Sequence, residues 1–127
     1  VKALASLLRR SDSGRVVNLT SDTALWGATK LLHYVSSKGA VIAMTRSLAR
    51  ELGPDSITVN AVAPGLVRGE STDYVPQERH DLYENGRAIP RAQYPEDVVG
   101  AVSFLLSEQA GFITGQVLPV NGGFVFN

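Results

Sequence analysis

The sequence has no cysteine, one methionine and one tryptophan in 127 residues, and no excess of either charge, with 12 Lys+Arg against 12 Asp+Glu. Without cysteine there is no disulfide scaffold, no thiol nucleophile and no thiolate metal site. The composition suits a reducing compartment, with the cytoplasm as the expected location. Without a Lys or Arg run there is no concentrated positive field to neutralise phosphates, so nucleic acid is not an expected partner. No apolar run approaches the roughly 18 residues that suggest a membrane span, and the opening lacks the basic and long apolar blocks of a signal peptide. A soluble protein with no membrane partner and no metal is expected. The length is that of one domain, enough for a real core.

What is present is a regular alternation of element types. Val1, Leu4, Leu7 and Leu8 have helical spacing and Ser11-Asp12-Ser13-Gly14 follows as a stop, so the opening reads as the tail of a helix. Residues 15–20 (RVVNLT) and 57–63 (ITVNAVA) are short β-rich runs, the second ended by Pro64-Gly65. Between them, residues 34–52 carry Lys38, Val41, Ile42, Thr45, Leu48, Ala49 and Leu52 along one stripe and stop at Gly53-Pro54. A strand, a helix and another strand form a crossover unit with parallel strands, and the fold class is therefore α/β. Residues 66–91 are crowded with charge and read as a solvated surface excursion, with a short helix over 76–85. Pro95-Glu96-Asp97 then opens a helix with acids at the positive end of its dipole, and Val98, Val99, Val102, Leu105 and Leu106 give it an apolar stripe. A last strand covers 116–120, followed by the turn Asn121-Gly122-Gly123.

The chemistry gathers at one end of the crossover. Tyr34 and Lys38 are four residues apart and so share one face of the helix. A phenol titrates near 10 when unperturbed, and a fixed cation beside it favours the phenolate, which makes Tyr34 a candidate acid/base for a substrate hydroxyl or carbonyl. Taken alone, such a pair also arises by chance, with the lysine snorkelling from a packed helix. Ser21 directly follows the first strand, at its carboxyl end, where ligands collect in open α/β sheets; it could hold a substrate oxygen or serve as a capping hydroxyl. The exit of the second strand, Asn60 to Gly65, falls on the same rim. Trp26 and Tyr74 could line a substrate pocket or cover core. His33 falls on another helix face and is not assigned a catalytic role.

In these features the chain resembles the carboxyl-terminal half of the short-chain dehydrogenases/reductases. The resemblance rests on RVVNLTS, on Ser21 thirteen residues before Tyr34, on Tyr34-Val35-Ser36-Ser37-Lys38 as the family's YxxxK, on NAVAPG at 60–65, on PEDVVGAVSFLLS at 95–107 and on ITGQVLPVNGG at 113–123. It runs almost end to end. The wording of HYVSSK, APGLVR and AIPRAQ looks most like NAD-dependent secondary-alcohol dehydrogenases of the phenylethanol type. The implied fold is a Rossmann-like doubly wound parallel sheet, of which residues 1–127 hold the carboxyl-terminal strands and helices and the catalytic half of a single domain.

The resemblance implies roles residue by residue. Ser21 polarises the substrate oxygen, Tyr34 is the acid/base, and Lys38 lowers the tyrosine pKa and binds the nicotinamide ribose. Pro64, Gly65 and Val67 line the nicotinamide of NAD or NADP, with NAD slightly preferred. Residues 66–91 correspond to the substrate lid. Gly69 stands where the family often has a threonine for the carboxamide and phosphate, and Ser71 or Thr72 is the substitute. The implied partners are a small alcohol or ketone and a second copy of the chain, as a homodimer or homotetramer through the Tyr34 helix. A 3-oxoacyl carrier-protein reductase is a near alternative. A lyase of the halohydrin-dehalogenase type, which carries Arg where this chain has Lys38, and a non-catalytic assembly module are the others. No Gly-rich turn stands between a strand and a helix, so the amino-terminal nucleotide-binding half is expected to precede Val1, which then enters in mid-helix. The 127 residues on their own are expected to be inactive, and insoluble or unfolded without that half.

Overall fold

The computed structural model describes residues 1–126. A 3-10 turn at Lys2–Leu4 leads into a short helix, α1 (Ala5–Arg9), then strand β1 (Arg15–Leu19) and the single-turn helix α2 (Thr23–Trp26). The long helix α3 (Leu32–Leu52) and strand β2 (Thr58–Pro64) complete the crossover. Helix α4 (Gln77–Gly86) lies within the charged excursion, and α5 (Glu96–Leu106) precedes β3 (Val117–Val120). All pairings are parallel in the order β1-β2-β3, with Leu19 opposite Val62 and Val62 opposite Leu118.

β2 is central and covered on both faces, which is why its sequence is apolar throughout rather than alternating. Every residue from Thr58 to Ala63 is buried. Its side chains divide by the two-residue period of a strand. Val59 packs with Ala49 and Leu52 of α3, whereas Val62 packs with Leu105 of α5. Each of these valines, at 0% exposure, contributes roughly 1.5–3 kcal/mol relative to an exposed position. Asn60 sits in the same strand, fully buried, and is tolerated because both ends of its amide are used. Its Nδ2 donates to Ile113 O at 2.8 Å and its Oδ1 accepts from Gln116 N at 3.1 Å.

α3 stops at Gly53-Pro54 as the sequence indicates: Gly53 stays helical at φ −55°, and Pro54, lacking an N–H, tightens the chain into a 3-10 turn over Gly53–Asp55. Ser56, at φ 57°, makes the left-handed turn into β2. One expectation changes: 66–91 is not simply solvated surface. His80, Tyr83 and Arg87 are buried, the last two because they dock on the strand exits described below.

The parallel order brings every strand's carboxyl end to one rim. The ladder continues past β1, with Thr20 N donating to Val62 O at 2.9 Å and Asp22 N to Pro64 O at 3.0 Å. Gly65 N donates to Val120 O at 3.1 Å. Ser21, Gly65 and Asn121 are therefore positioned by backbone hydrogen bonds of the sheet, and α3 begins beside them.

Candidate active site

A cavity of about 520 Å³ opens at this rim. Ser21, Tyr34, Gly65, Val67 and Tyr74 all line it, so five residues singled out from sequence meet in one space. His33, in the first turn of α3 beside Tyr34, lines it too. Ser71 and Thr72 are also in the wall. Thr72 Oγ1 donates to Val67 O at 2.6 Å and so braces the segment that follows β2.

Ser21 is 6% exposed and its Oγ accepts from Thr23 N at 3.3 Å and Thr23 Oγ1 at 2.9 Å. The pairing of the two hydroxyls can run in either direction, so the Ser21 hydrogen can turn to a ligand oxygen while Thr23 Oγ1 donates to Ser21 Oγ. Tyr34 is exposed at the mouth of the cavity, and Lys38 lies one turn further along α3 with Nζ 5.7 Å from the centre of the Tyr34 ring. Nζ donates to Leu19 O at 3.1 Å, which ties α3 to the end of β1 and uses one of the three ammonium hydrogens. Thr20 Oγ1 donates to Lys38 O at 2.8 Å, and Asn18 Nδ2 to Thr45 Oγ1 at 3.0 Å. The strand that carries Ser21 and the helix that carries Tyr34 are thus joined by three side-chain bonds.

Lys38 and Pro64 are outside the cavity lining. Trp26 is outside it as well, which corrects its assignment to a substrate pocket. Its indole N–H donates to Tyr83 Oη at 3.4 Å, and the ring stands edge-on to Phe124 at 5.5 Å, so it packs behind a wall residue.

Tyr83 of α4 does line the cavity, and it leads to a buried polar group that sequence reading missed. Its hydroxyl donates to Asp22 Oδ1 at 2.8 Å, and Asn121 Nδ2 donates to Asp22 Oδ2 at 3.3 Å. Asp22 is 0% exposed. Burial pushes its carboxyl up to about 6, against the opposing pull of the Tyr83 and Asn121 bonds and the charge of Arg87. Burial also pushes the Tyr83 phenol up, and the neighbouring Asp22 charge adds to that. Arg87, lowered by burial, donates to Asn121 O, Arg91 O, Leu66 O and Gln93 Oε1. No motif signals this cluster: Asp22 and Tyr83 are 61 residues apart, and a Ser-Asp pair before a helix turn reads as capping.

The family described as Enoyl-(Acyl carrier protein) reductase matches residues 1–125. The chain belongs to the short-chain dehydrogenase/reductase family. It is 44% identical over 114 residues to a 3-oxoacyl-[acyl-carrier-protein] reductase of Rickettsia bellii, covering 88% of this chain and 46% of that one. Two solved structures are similar in fold and sequence. A 4-hydroxyisoleucine dehydrogenase complexed with NADH and succinate superposes with a TM-score of 0.83 at 30% identity, over 98% of this chain and 50% of its own. A dehalogenation enzyme superposes with a TM-score of 0.86 at 36% identity, over 98% and 52%. The chain spans about half the length of the relatives it matches.

The residues present fit one end of a nicotinamide dinucleotide. Gly65, Leu66 and Val67 give an apolar stretch of cavity wall beside Ser21 and Tyr34, and the remaining Lys38 hydrogens suit ribose hydroxyls. Among the described residues no group of three or more His, Asp or Glu is placed to hold a metal, and no helix is long and apolar enough to cross a membrane.

Proposed function

We propose that the protein is a nicotinamide-dependent oxidoreductase that interconverts a secondary alcohol and its ketone, with Ser21, Tyr34 and Lys38 as its chemical residues. The observation that carries this reading is the meeting of the Ser21 hydroxyl and the Tyr34 phenol in one cavity, with the Lys38 ammonium behind the phenol. Bound NAD or NADP supplies or accepts the hydride at the reacting carbon. Ser21 donates its hydroxyl hydrogen to the substrate oxygen and fixes its position, while Thr23 Oγ1 donates to Ser21 Oγ. In the reductive direction Tyr34 gives its phenolic proton to that oxygen, and in the oxidative direction it takes the proton back. Lys38 places a positive charge where it stabilises the charge that builds on the phenol oxygen. The lining of Tyr74, Val75 and Leu66 gives the cavity an apolar side suited to a hydrocarbon substituent. The NADH-bound relative supports NAD as the cofactor.

The activity, the substrate and a homodimer or homotetramer formed through α3 are proposed for the parent chain, the whole protein, since the chain described spans about half the length of its relatives. The decisive assay measures its turnover with NAD(H) and NADP(H) on aryl-alkyl ketones and alcohols, with Tyr34→Phe as the comparison. Loss of about 10²-fold or more in kcat is expected, the scale of a general acid/base. Retention of most of the turnover overturns the assignment.

A second reading, reduction of a 3-oxoacyl thioester, is favoured by the Rickettsia relative. It is separated by a direct comparison of an acyl thioester with a small aryl ketone. The dehalogenation enzyme supports a lyase reading that Lys38 opposes, and halide release in the absence of nicotinamide is its test.

A further inference from the structure

Asp22 lies next to Ser21 in sequence, yet its side chain faces away from solvent and into the contact between the rim and α4. Its two carboxylate oxygens each receive one neutral donor, Tyr83 Oη from α4 and Asn121 Nδ2 from the exit of β3. The charge of Arg87 and the indole of Trp26 also favour the charged form, less strongly than these two bonds, and their own hydrogen bonds run elsewhere. Trp26 Nε1 on α2 donates to Tyr83, and Arg87, just beyond α4, turns its guanidinium to Asn121, Arg91, Leu66 and Gln93. Glu84, one residue past Tyr83, is held by Arg68 at 2.7 Å. A fully buried carboxylate with two neutral donors and no ion pair is incompletely compensated for its lost hydration. α4 itself is otherwise lightly held: Leu82 is exposed, and the helix's buried residues are His80 and Tyr83. The Tyr83 ring stacks on Phe124 at 4.3 Å and forms part of the cavity wall.

We infer that Asp22 is a positioning residue whose carboxylate docks α4 through Tyr83 and so sets the wall of the cavity that Ser21 and Tyr34 share, and that this docking takes up a proton. The inference rests on the functional reading above only for its kinetic consequence. When α4 lifts, Asp22 meets water and ionises freely. When α4 docks, the carboxylate is stripped of water and its neutral form is favoured. Protonation therefore drives the wall closed, and ionisation loosens it. The neutral acid keeps the Asn121 bond on its carbonyl oxygen and turns its hydroxyl to Tyr83 Oη, which changes from donor to acceptor.

Hydrogen exchange of the α4 amides in the parent chain tests this without any turnover, with the core amides of α3 as the internal reference. After correction for intrinsic exchange, α4 is expected to be about tenfold better protected at pH 5 than at pH 8. That is the factor for a two-state closure whose carboxyl titrates near 6 when covered and near 4 when hydrated. Asp22→Asn removes the titrating group and should abolish the dependence. Equal protection of the wild type at the two pH values, or an undiminished dependence in Asp22→Asn, overturns the inference. If Asp22→Asn does not fold, Tyr83→Phe keeps the ring stack and deletes one donor, and the midpoint of the protection curve should move to higher pH; an unmoved midpoint overturns it equally. In the active enzyme KM should rise with pH across this window by more than kcat falls. A parent chain with no dehydrogenase activity but pH-dependent α4 exchange would refute the catalytic reading and leave the docking role of Asp22 standing.

Discussion

The Lys38 ammonium donates to the carbonyl oxygen of Leu19 at 3.1 Å while standing 5.7 Å from the centre of the Tyr34 ring. One side chain thus spans the gap between the end of β1 and the first turns of α3. Its charge is delivered to the phenol by a helix turn and held there by the strand. Lys38→Met keeps the stem and removes both the charge and the bond. Its expected effect is a fall of about 10²-fold or more in kcat, with weaker cofactor binding and an unchanged far-ultraviolet circular dichroism spectrum. Steady-state kinetics and a cofactor titration of the parent chain check this.

Asn60 is expected to be the most sensitive polar position of the sheet. Asn60→Leu fills a similar volume but orphans Gln116 N and Ile113 O, each at a cost of about 1–3 kcal/mol. The midpoint of urea unfolding should fall accordingly. Asn60→Asp should do little better, because it places an oxygen against the Ile113 carbonyl.

A methyl group at Gly86 would come within 2.8 Å of Phe124 Cε2. Gly86→Ala is expected to push Phe124 off the Tyr83 ring, at about 1–3 kcal/mol, and to raise KM for the substrate. Unaltered stability together with an unaltered KM would show that the Phe124 stack does not matter to the cavity wall.

Two aspartates should give opposite pH signatures in stability. Asp97 receives both Arg91 Nη1 and Nη2, at 2.8 and 2.6 Å, and Arg91 holds its carboxyl well below the usual range. Its contribution is full above the unfolded value near 3.8 and is lost as the pH falls through the lower folded value. Asp22 is raised, so its contribution is full below 3.8 and is lost as the pH rises from there to about 6. Above that window the buried charge costs about 3 kcal/mol. Asp22→Asn should therefore lose less stability, or gain some, at pH 8 than at pH 4, whereas the loss in Asp97→Asn should be nearly the same at pH 8 and pH 4 and should shrink at pH 2. Chemical unfolding of the parent chain at the three pH values measures both.

The periodic parts of the fold are legible in the sequence because periodicity is a local signal. The stripe from Lys38 to Leu52 and the run ITVNAVA state on their own that they are helix and strand. The meeting of Ser21 and Tyr34 follows, since both sit at element ends that topology brings together. Asp22, Tyr83, Arg87 and Asn121 are illegible for the opposite reason. Each lies in a stretch whose composition suggests turn or surface, and only the docking of α4 across the strand exits buries them together. Charge density alone cannot reveal that Arg87 donates to four different residues.

Backbone bonds on either side of Ser21, from Thr20 to Val62 and from Asp22 to Pro64, have a consequence for how this site can change over time. The hydroxyl's address is written in the pairing of β1 with β2, where a slip of one residue would turn the whole strand inside out. Substitutions in 66–91 leave that pairing alone. The Ser21 end of the cavity is thereby insulated from mutation in its opposite wall, and new shapes of ligand can be sampled there while the placement of the hydroxyl is carried over unaltered.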